Sequence, residues 1–180
     1  MDEDNKIVKS ESITLRLKTD TLEKIRRNAK YDKTTLNSAA SQMLDHAVDW
    51  SIPAARAGWV PIPKKILMAI IENLDEVTIK EVASAVGKTV PKDMLLIMKE
   101  GISVSDWVKV LKDRAIAAGF SHYEEEDEEK IHIVTKHDMG MKWSLWFRAF
   151  YKSYFEELDC PVTFSITDST IVYEIQKSNL

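Results

Sequence analysis

The 180 residues are 44% hydrophobic and 30% charged with a net charge of −4, the balance of a folded globular chain and not of a disordered one. The longest apolar run, Ile66 to Ile71, is far short of the roughly 20 residues a membrane-spanning helix needs, and the acidic start Met1-Asp2-Glu3-Asp4 is opposite in charge to a signal peptide. A cytoplasmic protein with no membrane partner is expected, and the single cysteine, Cys160, excludes an internal disulfide framework and a clustered thiolate metal site. Charge is distributed unevenly. Between Asn5 and Lys33 nine basic residues stand against four acidic ones, and the remainder of the chain is acidic, which suits a protein that meets DNA phosphates with one end only.

Ser12-Ile13-Thr14-Leu15-Arg16-Leu17 alternates strictly. A strand here would put Ile13, Leu15 and Leu17 on one face and Ser12, Thr14 and Arg16 on the other. Asp20-Thr21-Leu22-Glu23 reads as a capping box opening a helix over about 21 to 30, with Leu22, Ile25 and Ala29 at helical spacing. Tyr31-Asp32-Lys33, a turn without glycine, breaks it. Thr34 or Thr35 then caps a second helix whose buried stripe is Leu36, Ala40, Met43 and Ala47, running to about Trp50. A lone strand has no ladder partner, and two short helices give too small a core to stand alone. A second copy of the segment answers both needs: two strands paired antiparallel across a two-fold axis bury Ile13, Leu15 and Leu17 and display the polar face on a ribbon that fits the major groove.

Strand, capped helix, short turn and second helix, in this order and at these lengths, resemble the ribbon-helix-helix repressors of the Arc, MetJ and CopG type over about residues 8 to 50, with Thr35-Leu36-Asn37-Ser38 the nearest local match. The resemblance implies base contacts from Ser12, Thr14 and Arg16 and phosphate anchoring by Thr34, Thr35 and Asn37. Lys18 joins the phosphate contacts by its charge and position. Independently of the family, arginine can pair bidentately with guanine, threonine can meet a thymine methyl, and helix-start amides bind phosphate.

Ser51-Ile52-Pro53 and Val60-Pro61-Ile62-Pro63 bracket Gly58, so residues 51–63 read as a linker between domains 1–50 and 64–180. Trp50, Trp59 and Val60 are large for a free tether and are expected to pack against the neighbouring domain. Short helices are expected over 64–74, 78–87 and 91–99, with Ala83 and Gly87 at a spacing that also occurs in helix-turn-helix motifs. Plain helical packing is the reading preferred there, because Pro91 falls inside the would-be recognition helix.

Ser103-Val104-Ser105-Asp106 carries a capping pattern for a helix with Trp107, Val110, Leu111 and Ala115 on one face, ended by Gly119. Strands over 120–123 and 130–136 flank the acidic run Glu124 to Glu129, read as a solvated hairpin turn or strand end. A helix over 142–158 carries Trp143, Trp146, Phe147, Phe150, Tyr154 and Leu158, and strands over 162–167 and 170–176 turn at Asp168-Ser169. The expected class is α+β: an amino-terminal ribbon-helix-helix, a small helical middle segment and a carboxy-terminal αββ-αββ domain with one antiparallel sheet. The loop His137-Asp138-Met139-Gly140-Met141-Lys142-Trp143-Ser144 gathers an imidazole, a carboxylate and a cation at a helix start. His137, Asp138, Lys142 and Trp143 are therefore the candidate effector pocket, beside the alternative that the loop merely caps its helix. His122, His132, His137 and Cys160 are metal-ligand types at spacings that match no tight zinc pattern, and no metal or other cofactor is expected.

No phosphate loop, nucleophile elbow or metallopeptidase histidine pair is present, so no enzyme is expected. The function these features point to is a homodimeric transcriptional regulator. It would bind double-stranded DNA through its ribbon and a small-molecule effector, or further copies of itself in a higher oligomer, through its carboxy-terminal domain. The alternative is an antitoxin-like interaction protein whose residues 51 to 180 bind a protein partner.

Overall fold

The computed structural model describes residues 11–98 and 101–180. It divides into two compact units, one ending at Leu44 and the other beginning at Asp45.

In the first unit, residues 11–18 have no ladder partner among the described residues. Their apolar members stand in the open: Ile13 is 77% exposed, Leu15 51% and Leu17 45%. Helix α1 spans Thr19–Tyr31 and α2 Leu36–His46. The predicted capping box at Asp20 and Glu23 is not formed. The helix starts two residues earlier, with extended Lys18 as its first cap and no side-chain bond there, and the Leu22 amide donates to the Lys18 carbonyl at 3.0 Å. Asp20 thus lies within the first turn, where its charge complements the helix dipole. The end of α1 is a Schellman cap: the Thr34 amide donates to Ala29 O and the Lys33 amide to Lys30 O, with Lys33 in the left-handed region at φ 52° where glycine is usual. At α2 the expected threonine cap is present, the Ser38 amide donating to Thr35 Oγ1 at 3.1 Å.

The second unit opens with a π-helical turn, Ala47–Ser51, and the short helix α3, Ile52–Arg56, whose Pro53 lies in the first turn, where the missing amide hydrogen goes unneeded. Residues 51–63, expected to be a linker, therefore belong to this unit. Ala54 is in its core, and Trp50 and Trp59 meet edge to face at 5.3 Å. Helix α4 spans Lys64–Glu72 and α5 Glu76–Met98.

The two helices expected over 78–87 and 91–99 are this single helix α5, with Gly87 and Pro91 both inside it and both buried. The reason is packing. A Cβ on Gly87 would lie 2.5 Å from the Phe150 carbonyl oxygen, so glycine lets α5 cross the helix that carries Phe150 at backbone contact. Burial of Ile79, Ala83, Met94 and Leu95 along the same side holds the helix through the proline. No turn exists at Gly87, and the helix-turn-helix spacing is not realised.

Helix α6, Val104–Ala117, has the expected reciprocal capping box between Ser103 and Asp106. Strands β1 (Ser121–Glu126) and β2 (Lys130–Lys136) precede helix α7 (Met141–Glu157), and β3 (Val162–Ile166) and β4 (Thr170–Gln176) follow it. All pairs are antiparallel, in the order β1-β2-β4-β3. Alternation sends Ile133, Ile171, Tyr173 and Ile175 into the core. The alternate positions Glu174, His132 and Lys130 form an ion-pair cluster with Asp127 on the other side. The aromatic helix α7 lies between the sheet and α5: Tyr151 and Phe155 stack toward Tyr173 at 5.8 and 6.1 Å, while Phe150 faces Gly87. The acidic run closes the β1–β2 hairpin, where Asp127 accepts from the Glu129 and Lys130 amides. Among the described residues no helix is long and apolar enough to cross a membrane.

Candidate functional site

The residues expected to contact DNA all lie in the first unit. Ser12, Thr14, Arg16 and Lys18 are exposed on the segment before α1, Asn37 is exposed in the first turn of α2, and Thr34 is half-buried. Thr35 spends its hydroxyl on the α2 cap and a 2.8 Å bond with Ser38, so what it offers an anion is a fixed helix start.

The four residues expected to form an effector pocket are not brought together. His137 is fully buried and internally satisfied. Its Nδ1 accepts from the Met139 amide at 3.0 Å, which leaves the proton on Nε2, facing Ser144 Oγ at 2.9 Å; the Ser144 hydroxyl in turn donates to the Thr167 carbonyl. Burial, reinforced by the nearby Arg114 and Lys64 charges, lowers the imidazole to a pKa of about 4 against a weaker opposing pull from Asp138 and Asp168. This is a neutral core histidine that ties the start of α7 to the β3–β4 turn. Asp138 faces solvent and pairs with Lys136 at 3.6 Å. Lys142 donates to the Glu72 carbonyl at 2.6 Å. Trp143 alone lines a cavity.

That cavity, of about 1030 Å³, lies in the second unit and is at the upper end of the range of roughly 300–1,000 Å³ typical of small-molecule sites. Its wall comes from the π-turn, α3, the 58–63 loop and helices α4 to α7. All five tryptophans of the chain line it, with Phe120, Phe147 and Phe150. Three basic residues, His46, Lys64 and Arg114, are on the wall and, among the described residues, no aspartate or glutamate is.

Arg114 is the residue that the sequence reading missed. It lies four residues after Val110 and three after Leu111, on the buried stripe of α6, and an arginine in a core register position was the available signal. Its guanidinium lies 4.7 Å from the Phe147 ring centre, 5.7 Å from that of Trp59 and 5.9 Å from that of Phe120. One N–H bonds the Tyr151 hydroxyl at 2.9 Å. Lys64 Nζ lies 4.5 Å over the same Phe120 ring. Neither cation has a carboxylate partner among the described residues. Two buried indole N–H groups in the wall, those of Trp107 and Trp143, also lack any acceptor. A second, smaller cleft of about 460 Å³ lies between α5, α7 and β3.

His122, His132, His137 and Cys160 do not converge. His122 bonds Thr135 and Glu124, His132 bonds Asp127, and Cys160 is buried after α7. Among the described residues no three metal-ligating side chains are grouped to hold an ion.

No family model matches the chain, and no curated protein does. Among solved structures it is similar to a singly substituted H-NOX of T. tengcongensis at 9% identity and a TM-score of 0.46, over 91% of this chain and 100% of that one. It is also similar to a doubly substituted Tt H-NOX at 10% identity and a TM-score of 0.43, over 75% and 87%.

Proposed function

We propose that the chain is a homodimeric, sequence-specific DNA-binding regulator whose first unit reads DNA through a two-stranded ribbon and whose second unit binds an effector. The observation that carries this reading is the segment before α1. It presents Ile13, Leu15 and Leu17 to solvent in strict alternation with Ser12, Thr14 and Arg16, ahead of two capped helices with few buried side chains of their own. An exposed alternating apolar segment next to an undersized core is physically unfavourable alone and would be resolved by pairing with a second copy as a strand. The polar face is then left for base edges, and the local excess of positive charge supplies attraction to phosphates.

The test is selection of bound duplexes from a random pool by the full chain, followed by titration at several salt concentrations. The expected result is a roughly palindromic site, affinity that falls steeply with salt, and a loss of about 1–3 kcal/mol for Arg16→Ala on the selected site. Enrichment of no sequence, or an unchanged affinity in Arg16→Ala, contradicts the reading.

A further inference from the structure

We propose that the cavity of the second unit binds an amphipathic carboxylate, an apolar or aromatic body with one anionic head, held by Arg114 and Lys64, which both approach the Phe120 ring. As the effector site it rests on the regulator reading above; as a binding site it stands on the cavity alone.

Four features select this chemistry. The wall is aromatic and aliphatic, with every tryptophan of the chain on it, which suits a ligand that is apolar over most of its surface. Its fixed charges are all positive: Lys64 Nζ and the Arg114 guanidinium approach one ring at 4.5 and 5.9 Å, with no acidic residue among the lining side chains. A guanidinium packed among three rings, with a single hydroxyl partner, is short of acceptors. A carboxylate offers it two in the planar fork geometry that arginine matches. The indole N–H groups of Trp107 and Trp143, buried without acceptors, mark the same wall as donor-rich and acceptor-poor. A cationic ligand would meet like charge with nothing to offset it, and a neutral one would leave Arg114 unpaired.

Trp50 and His46 are on the wall, and the π-turn that holds Trp50 continues directly from the end of α2. Irregular helical turns of this kind are frequent at functional positions.

The experiment uses the full chain and its own tryptophan fluorescence, checked by calorimetry, with octanoate, dodecanoate and 4-phenylbutanoate as probes against their primary amides. The expected result is saturable binding of at least one acid, about tenfold or more tighter than its amide, with Arg114→Met abolishing the preference while the amide still binds. Lys64→Met, at an exposed position, should reduce the preference in part and keeps the test open if Arg114→Met does not fold by circular dichroism. Equal affinity for acid and amide, no saturable signal with any probe, or unchanged acid binding in both variants would overturn the proposal. Titration of DNA with the same preparation separates the two readings. DNA binding without any probe binding defeats only this inference, and probe binding without DNA binding defeats only the regulator.

Discussion

His137 shows how a side chain that looks chemical in a sequence becomes structural in a fold. Both ring nitrogens are engaged, by the Met139 amide and the Ser144 hydroxyl, and burial holds the imidazole neutral with a pKa of about 4. In the unfolded chain the same ring takes up a proton near its ordinary value of about 6.5. Between those values the unfolded state binds more protons than the folded one, so stability is fully present above about pH 6.5 and declines as pH falls toward 4, by roughly 3 kcal/mol at the limit. Urea melts at pH 7 and pH 4.5 should show that decline, and His137→Leu should flatten it while costing about 1–3 kcal/mol at pH 7 through the unpaired Met139 amide and Ser144 hydroxyl. Lys33 is the opposite case, a surface residue whose backbone is under strain. At φ 52° in a Schellman cap it occupies a glycine position, and Lys33→Gly should raise stability by about 1 kcal/mol, read as a shift in the urea midpoint.

The contrast between legible and illegible elements follows from where each one's information lies. Helices α6 and α7, strands β2 to β4 and the αββ-αββ order were readable because caps, alternation and glycine stops are local: Ser103 with Asp106, Asp168-Ser169, Gly119. Helix α5 was misread because its continuity through Pro91 depends on a neighbour distant in sequence, and nothing near Gly87 says that Phe150 will press on it. That contact makes a prediction of its own. Gly87→Ala, normally favourable inside a helix, should here cost about 1–3 kcal/mol, because the new methyl meets a backbone carbonyl that cannot turn aside. A thermal melt unchanged by this substitution would mean that α5 and α7 do not cross at backbone contact. The four residues of the candidate pocket are drawn apart for a related reason. The loop at 137–144 gathers polar residues in sequence but spends them on internal bonds, whereas the cavity gathers Trp50, Met94, Arg114 and Phe147 from four separate stretches of chain. Only Arg114, charged on an apolar stripe, carried a local sign of it.

At the scale of the whole molecule, the proposed function assigns a separate role to each of the two units. A basic, undersized first unit carries an exposed apolar face, and an acidic second unit has a complete core around a large cavity. On the proposed reading the first is stable only in company, so dimerisation and DNA binding should be lost together, while the second should keep its fold whatever becomes of the first. The most direct test is therefore light scattering and DNA titration of the full chain beside Leu15→Asp, with tryptophan fluorescence as the control for the second unit. The account predicts a DNA-binding dimer for the unaltered chain, and for Leu15→Asp a monomer with unchanged fluorescence that no longer binds DNA. A monomeric unaltered chain, or a Leu15→Asp chain that binds DNA as tightly as the parent, would contradict it.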